Sequence, residues 1–389
     1  MPKSYDVIVI GLGGMGSATA YYLARRGKRV LGLEQHTPGH DQGSSHGRSR
    51  IIRQAYFEDA AYVPLLLRAY ELWEQLEYDA GRQGELLTLT GGLMMGSPES
   101  KTVQGSTQSA RAYGLPHELL TAADMHRRFP PLLPPTWMVA LYEAKAGVLH
   151  PEETVLAHMQ CAEQLGAELH FKEPVLQWEA AASGDRVAVT TGRATYEAER
   201  LVIAAGPWAP VLLADLGLPL VVERQVLYWF APRGGIEPFL PGRFPLFICE
   251  GPDGLQPYGF PATGGAEEGV KISFFRQGGL CTPETIDRTV CPEEIAFVQQ
   301  YLTDLLIPTL DGPCLETATC MYTTTPDEHF IISTHPHHTQ VTIAAGFSGH
   351  GYKFCSVVGE VLTDLATMGS TSHPIELFAP ERFAVPHKD

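Results

Sequence analysis

The chain has 389 residues, of which 44% are hydrophobic and 19% are charged. This length and composition predict a globular protein of about two domains and argue against a disordered chain. Asp and Glu number 44 against 28 Lys and Arg, giving a formal net charge of -16, which argues against general binding to nucleic acid or to an anionic membrane surface.

Three further features bear on the cellular compartment. The N-terminal apolar run is short and leads directly into a glycine loop, so we do not expect a signal peptide. The most apolar later stretch, from Leu201, contains several prolines and Asp215, so we expect no membrane-spanning helix. The seven cysteines are scattered and form no CxxC pair, which predicts a reducing cytoplasm and no zinc site.

The first predicted elements form a βαβ unit over residues 5–34. A β-branched run, YDVIVI, precedes the loop GLGGMG; an Ala-rich helix follows, and a second strand closes on Glu34. Gly11, Gly13 and Gly16 fit the dinucleotide fingerprint, which needs a tight turn, close approach to a pyrophosphate and close helix packing. Glu34 stands where an acid accepts hydrogen bonds from ribose hydroxyls, which disfavours NADP. The fingerprint leaves NAD and FAD both open.

The rest of the chain predicts a second domain inserted into the first. We expect helices over residues 62–76 and 152–165, and a β-rich region over 221–275 that forms a more exposed sheet. A strand, a glycine turn and a helix from about residue 353 return near the C-terminus. Patterns of a nucleotide domain therefore lie near both ends of the sequence, with the second domain between them.

Two glycine-containing segments carry side chains suited to an anionic ligand. GSSHGRSRIIR, residues 43–53, could form a solvated basic face, but Arg50 and Arg53 straddle two isoleucines of the buried type, which favours a binding role. GFSGHGYKF, residues 346–354, places glycines before a helix whose amides, with Lys353, would stabilise negative charge.

Several other features of the sequence allow both a structural and a functional interpretation. RLVIAAGPWAP, which contains Trp208, fits either the second nucleotide-contacting strand of an FAD enzyme or an ordinary core strand. Lys271 lies in an apolar strand and is either functional or snorkels to solvent. Residues 327–329, with the sequence DEH, are expected on a strand, where successive side chains point to opposite faces and cannot all meet one substrate, so we assign them structural roles. We also assign a structural role to His350. Cys320, taken alone, is a packed core thiol or a reactive one.

Together these motifs resemble the monomeric sarcosine oxidase family, which includes N-methyltryptophan oxidase. GSSHGRSRIIR, CMYTTTPDEHFII and AAGFSGHGYKF are similar, in that order, to the family's three signature blocks. The resemblance implies a two-domain α+β flavoprotein of p-hydroxybenzoate-hydroxylase-like architecture. Its Rossmann-like FAD-binding domain is expected to comprise residues 1–88, 148–220 and 320–389, and its antiparallel-sheet substrate domain residues 89–147 and 221–319.

The resemblance also implies an activity and a set of site residues. It implies a monomeric flavin amine oxidase without a metal, which oxidises secondary amino acids, N-methylated or cyclic, and reduces dioxygen to hydrogen peroxide. FAD is expected to be attached covalently through Cys320. Arg53 and Lys353 match residues that hold the substrate carboxylate, Lys271 matches the lysine that activates oxygen, and Arg50 and His46 match residues near the flavin. The other implied substrate-cavity residues are Tyr258, Tyr322, Phe275 and Ile248. The implied cofactor-binding residues are Gly11, Gly13, Gly16, Glu34, Ser44, Arg50, Val175, Gly206, Trp208, Cys320, Gly346, Gly349, Gly351 and Lys353.

Three positions depart from the family pattern. Arg48 stands where relatives usually carry Asp, Phe275 where sarcosine oxidase has a histidine, and Ile248 where it has a methionine. The more apolar cavity favours bulkier or cyclic substrates. The alternatives are a flavin dehydrogenase that uses another electron acceptor, a non-catalytic nucleotide-binding protein and an NAD-linked dehydrogenase.

Overall fold

The structure is a computed structural model that describes residues 4–383. The helices are α1 (Gly14–Arg25), α2 (Val63–Asp79), α3 (Lys101–Ala112), α4 (Ala122–Arg128), α5 (Pro151–Gln164), α6 (Ala209–Leu212), α7 (Pro292–Leu305) and α8 (Cys355–Met368). The strands are β1 (Ser4–Ile10), β2 (Val30–Leu33), β3 (Arg50–Ile52), β4 (Leu87–Leu89), β5 (Gly92–Gly96), β6 (Glu118–Thr121), β7 (Val139–Glu143), β8 (Gly147–Leu149), β9 (Glu168–His170), β10 (Val175–Ala180), β11 (Val187–Thr191), β12 (Thr195–Ile203), β13 (Val221–Phe230), β14 (Leu246–Cys249), β15 (Pro257–Gly259), β16 (Val270–Phe274), β17 (Leu280–Cys281), β18 (Cys314–Thr324), β19 (Ile331–His335) and β20 (His338–Ala345).

An eight-stranded sheet contains the predicted βαβ unit. Strands β9, β2, β1, β12 and β20 run parallel in that order, while β10, β11 and β19 are antiparallel additions. Strand β2 is buried at every residue, and β1, β12 and β20 are buried towards their C-terminal ends. Helices cover this part of the sheet, where α1 packs against both α5 and α8. The sequence correctly predicted β1, α1 and β2. The parallel strands end together, so the loops after them share one edge of the sheet.

A nine-stranded sheet forms the second layer. Its order is β17-β13-β16-β15-β14-β5-β7-β6, with β18 also paired to β13, and every pair except β14 with β5 is antiparallel. Phenylalanines from this sheet and the apolar face of α7 form a separate core. The predicted β-rich region is therefore confirmed, but β14 and β16 are buried at every residue, so the expectation of a more exposed sheet was wrong. The expected domain boundaries stay predictions; β18 runs across the one placed at residue 320.

Strand β3 lies in a small sheet of three strands, ordered β3-β8-β4. This sheet places the arginine-rich segment of residues 43–53 between the two larger sheets, where its loop reaches β18 and β16. Helices α2 and α5 confirm two predictions to within a few residues at their ends. Over residues 4–383 no helix combines the length and the apolar character needed to cross a bilayer.

One local prediction held to within two residues and another was wrong. The C-terminal helix, expected from about residue 353, begins with a 3-10 turn, Tyr352–Phe354, that leads directly into α8 at Cys355. Residues 327–329 are not on a strand, because β18 ends at Thr324 and a turn begins at Pro326. A proline lacks the N–H that would continue the ladder, which accounts for the turn.

Candidate active site

A long cleft opens where the parallel strands end. Gly11, Glu34 and Gly346 directly follow β1, β2 and β20, and Gly206 begins the turn after β12. This is the crevice at which open α/β sheets bind ligands. The structure brings the following predicted cofactor residues to the cleft: Gly11, Gly13, Glu34, Ser44, Arg50, Val175, Gly206, Trp208, Gly346, Gly349 and Gly351.

The glycines of the fingerprint permit close backbone contacts. Gly11 has φ +84°, and a Cβ there would lie 2.6 Å from the Ala204 carbonyl oxygen. Gly16 does not line the cleft, but a Cβ on it would lie 1.7 Å from the Gly11 carbonyl oxygen, so only glycine lets α1 approach β1 this closely. The N-terminus of α1 therefore faces the cleft, where its amides suit a pyrophosphate. The residues present fit a dinucleotide cofactor.

Glu34 is buried at the end of β2. Its Oε2 accepts a hydrogen bond from the Leu12 amide and its Oε1 accepts one from the His36 amide, both at 2.9 Å, while His40 Nε2 lies 3.4 Å from Oε1. Burial raises the pKa of Glu34, but His40 and the two amides outweigh burial, so the net shift is downward. The carboxylate is thus held ionised beside the cleft, as an acceptor for ribose hydroxyls must be. The sequence analysis missed His40, for which the pattern carried no signal.

A second, smaller space of ≈ 70 Å³ adjoins the cleft, and we call it the inner cavity. It shares four residues with the cleft: Arg50, Tyr322, Gly349 and Tyr352. All six residues predicted to bind substrate line it: Arg53, Lys353, Tyr258, Tyr322, Phe275 and Ile248. The structure therefore brings the predicted substrate group together, next to the predicted cofactor group.

Arg53 is the main cation of the inner cavity. Its guanidinium lies 4.2 Å from the ring centres of both Tyr56 and Phe57, and its Nη1 donates to the Ala55 carbonyl at 2.8 Å. Its Nη2 donates to Glu58, whose side chain is 8% exposed and also lines the cavity. Burial raises the pKa of Glu58, but the charges of Arg53 and its neighbours outweigh burial and lower it to about 2. The sequence analysis missed Glu58.

Lys353 is the second cation. Its Nζ donates to the His350 carbonyl at 2.6 Å, and the Trp73 indole N–H fixes the Lys353 carbonyl at 2.9 Å. Burial and the nearby Arg53 charge lower the pKa of Lys353 to about 7. His350 Nε2 donates to the Glu328 carbonyl at 2.9 Å, so its Nδ1 accepts from the Tyr56 hydroxyl at 2.6 Å. Both nitrogens of His350 are engaged, which fits its predicted structural role.

Cys320 lies in β18 at the wall of the inner cavity. It is buried, and Arg50 Nη2 donates to its Sγ at 3.7 Å. The same guanidinium donates to the carbonyls of Ser44 at 2.8 Å and Ser49 at 2.9 Å. Ser44 in turn donates its hydroxyl to the Met321 carbonyl at 2.7 Å, which holds the arginine-rich segment against β18. These contacts fix the sulfur beside the Arg50 guanidinium.

Lys271 and His46 lie one layer behind the inner cavity and do not line it. Lys271 Nζ donates to Gly47 O at 2.6 Å, to Ser49 O at 2.9 Å and to Ser49 Oγ at 3.0 Å. Burial and the Arg50 charge lower the pKa of Lys271 well below its usual range. Burial and Arg50 also lower the pKa of His46, to about 3, so His46 is neutral. Their catalytic roles stay predictions.

Other charged residues from the sequence analysis point away from the site. The Arg48 side chain pairs with Glu316 at 2.6 Å, so its departure from the family pattern adds no charge to the cleft lining. In the turn at 327–329, Asp327 pairs with Arg382, Glu328 with Arg276, and His329 contacts the Tyr62 hydroxyl. These contacts tie the turn to neighbouring segments, in agreement with a structural role.

The chain is similar to known proteins over almost its whole length. Residues 6–365 match the FAD dependent oxidoreductase family. The chain is 56% identical to the monomeric sarcosine oxidase of Streptomyces avermitilis over 385 residues, which are 99% of each chain. It is 35% identical to the N-methyl-L-tryptophan oxidase of Citrobacter koseri over 97% of this chain and 99% of that one. The structure of NikD, described as an unusual amino acid oxidase essential for nikkomycin biosynthesis, matches with a TM-score of 0.82 at 27% identity, over 97% of this chain and 98% of that one.

Proposed function

The chain belongs to the FAD dependent oxidoreductase family, and we propose that it oxidises small secondary amino acids such as sarcosine, with dioxygen as the electron acceptor. One observation carries the proposal: Arg53 and Lys353 line a largely apolar cavity that opens into the nucleotide cleft and whose lining carboxylate, Glu58, pairs with Arg53. A buried pair of cations suits a carboxylate, and the shared wall brings the rest of the substrate next to the cofactor.

The size of the inner cavity favours a small substrate. A water molecule needs about 10–15 Å³ of such volume, so ≈ 70 Å³ holds about five waters. Sarcosine has a similar number of non-hydrogen atoms. Phe275 and Ile248 make the wall apolar, as the sequence analysis expected, but they leave no extra room for the bulkier substrates that it favoured. We therefore propose sarcosine-sized N-methyl amino acids ahead of N-methyltryptophan.

The residues of the cavity bind and orient the substrate. Arg53 and Lys353 hold the carboxylate, while Phe275, Ile248 and Tyr258 exclude water from the N-methyl group, so that the unprotonated amine lies against the cleft. Bound FAD supplies the chemistry of a two-electron oxidation, in which the amine loses two electrons and two protons and its C–N bond becomes C=N. Water hydrolyses the imine to an amine and an aldehyde. Dioxygen takes up the two electrons and two protons to become hydrogen peroxide.

We propose that FAD is attached covalently through the sulfur of Cys320. The support is its position in the wall of the inner cavity beside Met321 and Tyr322, which line the cleft, its contact with Arg50, and the match of CMYT to the family block. Cys320→Ala is expected to fold and to bind FAD that acid precipitation then releases, whereas the wild type keeps its yellow colour in the pellet. Cys355→Ala, which removes another buried thiol beside the cleft, is the matched control. Release of flavin from the wild type would refute the attachment.

We also propose that the protein is a monomer of the cytoplasm. A monomer agrees with the name of the 56% identical relative, and seven free cysteines suit a reducing compartment such as the cytoplasm. The noncatalytic alternative gives no reason for the cations and Cys320 to share one cavity.

The function is tested by amine-dependent peroxide production. We expect turnover with sarcosine. Arg53→Met and Lys353→Met should raise the KM for sarcosine, whereas Lys145→Met, at an exposed position, should leave the KM unchanged. Unchanged KM in both cavity variants would refute the carboxylate assignment. Flavin reduction by the amine without peroxide production would instead establish a dehydrogenase, and a protein that binds no flavin would reopen the NAD interpretation.

A further inference from the structure

A cluster of three potential metal ligands lies outside both the cleft and the inner cavity. Asp215 belongs to the 3-10 turn Ala214–Leu216, His335 ends β19, and His338 begins β20 opposite His335. One ligand atom from each of the three side chains lies within 4.8 Å of the other two. Residues remote in sequence thus converge on a single point at the edge of the eight-stranded sheet.

The contact between His335 and Asp215 has an unusual geometry. The His335 side chain is fully buried, and its Nε2 lies 3.0 Å from Asp215 Oδ2. Despite this distance, Nε2 has no hydrogen-bond partner of acceptable geometry. The two atoms are therefore close without pointing at each other. Two ligands of one tetrahedral ion, each 2.0–2.1 Å from it, lie about 3.3 Å apart, which is close to the 3.0 Å between these two atoms.

We propose that Asp215, His335 and His338 bind one divalent ion of the zinc class, with solvent completing the coordination. Two imidazoles and one carboxylate are ligands that zinc, copper and nickel accept. Asp215 is 44% exposed, which leaves an entry path and room for a water ligand.

The surroundings of the cluster support a built site. The Trp178 ring covers it, with ring centres 5.6 Å from His335 and 5.7 Å from His338. The Trp178 indole N–H donates to the Leu212 carbonyl at 2.8 Å, just before Asp215. Leu212 lines the cofactor cleft, as do several residues before it. An ion here would fasten this wall of the cleft to the β19–β20 hairpin.

Binding requires one local rearrangement. The His337 amide donates to His335 Nδ1 at 3.2 Å, which places the proton of the neutral ring on Nε2. An ion at Nε2 moves this proton to Nδ1 and gives up that long hydrogen bond, so one weak contact is exchanged for a metal–ligand bond. The sequence analysis expected no zinc site because it considered cysteine spacing, and the histidines carried no recognisable spacing signal.

The test uses the flavin-loaded protein, purified without a metal-affinity tag and dialysed against chelator. Titration with zinc, followed calorimetrically and by metal analysis, is expected to give one ion per chain and a higher melting temperature. Asp215→Asn and His338→Ala are expected to lower the affinity at least about tenfold, since even outer partners of metal ligands cost that much. His337→Ala, an exposed neighbour outside the ligand set, is the matched control and should bind as the wild type does.

Three results would overturn the proposal: no stoichiometric zinc in the wild type, zinc bound equally well by Asp215→Asn and His338→Ala, or equal loss in His337→Ala. The second result would place the ion elsewhere, for instance on a thiol. Both ligand substitutions are at partly exposed positions, so the fold should survive them, and an unchanged flavin spectrum verifies it.

Discussion

Glu58 forms an ion pair with Arg53, the cation proposed to hold the substrate carboxylate, so its replacement tests the electrostatics of the inner cavity directly. Glu58→Gln keeps an acceptor oxygen near Arg53 but removes the negative charge. With charge centres about 4 Å apart and an effective dielectric constant near 20, the lost attraction is about 4 kcal/mol. Removing one partner of a buried ion pair is known to cost about 3–5 kcal/mol, which agrees.

Two opposite effects should follow from Glu58→Gln. The unfolding entropy of a chain of 389 residues is about 0.8 kcal/mol/K, so a loss of about 4 kcal/mol lowers the melting temperature by about 5 °C. A carboxylate ligand then restores the missing charge beside Arg53. If a third of the lost attraction is recovered, the ligand binds about tenfold more tightly than to the wild type.

The assay is thermal unfolding with and without a carboxylate that lacks an amine, such as propionate, together with its dissociation constant from flavin absorbance. Glu71→Gln is the control, because Glu71 forms an exposed ion pair with Arg68 that contributes at most about 1 kcal/mol. A Glu58→Gln variant with unchanged melting temperature and weaker carboxylate binding would refute the reasoning.

Three further predictions concern the other parts of the site. Because the pKa of Lys353 is lowered to about 7, this side chain is charged below that pH and neutral above it, so the dissociation constant of propionate should rise up to about tenfold per pH unit above 7, and Lys353→Met should flatten this profile. Gly16→Ala forces a Cβ into the Gly11 carbonyl and should yield protein without flavin absorbance. Gly192→Ala adds a Cβ in open space, so this control should show the same flavin absorbance as the wild type. Lys271→Met should slow oxidation of the reduced enzyme by dioxygen in stopped flow, with amine-dependent reduction little changed; the reverse pattern would contradict its assigned role.

What the sequence determined by itself is local. The first βαβ unit was predictable from its sequence, because each of its parts depends on residues close together in the chain: the β-branched run, the glycines at 11, 13 and 16, and the following helix. The signature blocks identified the cations and Cys320 by resemblance. The strand predicted at residues 327–329 was wrong, because Pro326 lacks the N–H needed to continue the hydrogen bonds of β18.

Only the tertiary structure decided which of these residues meet. Glu58 becomes the partner of Arg53, and Arg50 the neighbour of Cys320, because a small sheet inserts β3 between two large ones. Asp215 meets the histidines of the β19–β20 hairpin for a similar reason. Contacts of this kind depend on how strands cross over and on which faces are buried. Backbone preferences act over a few residues and do not determine which distant segments come into contact. The sequence therefore indicates the reactive groups, while the fold determines which of them form one site.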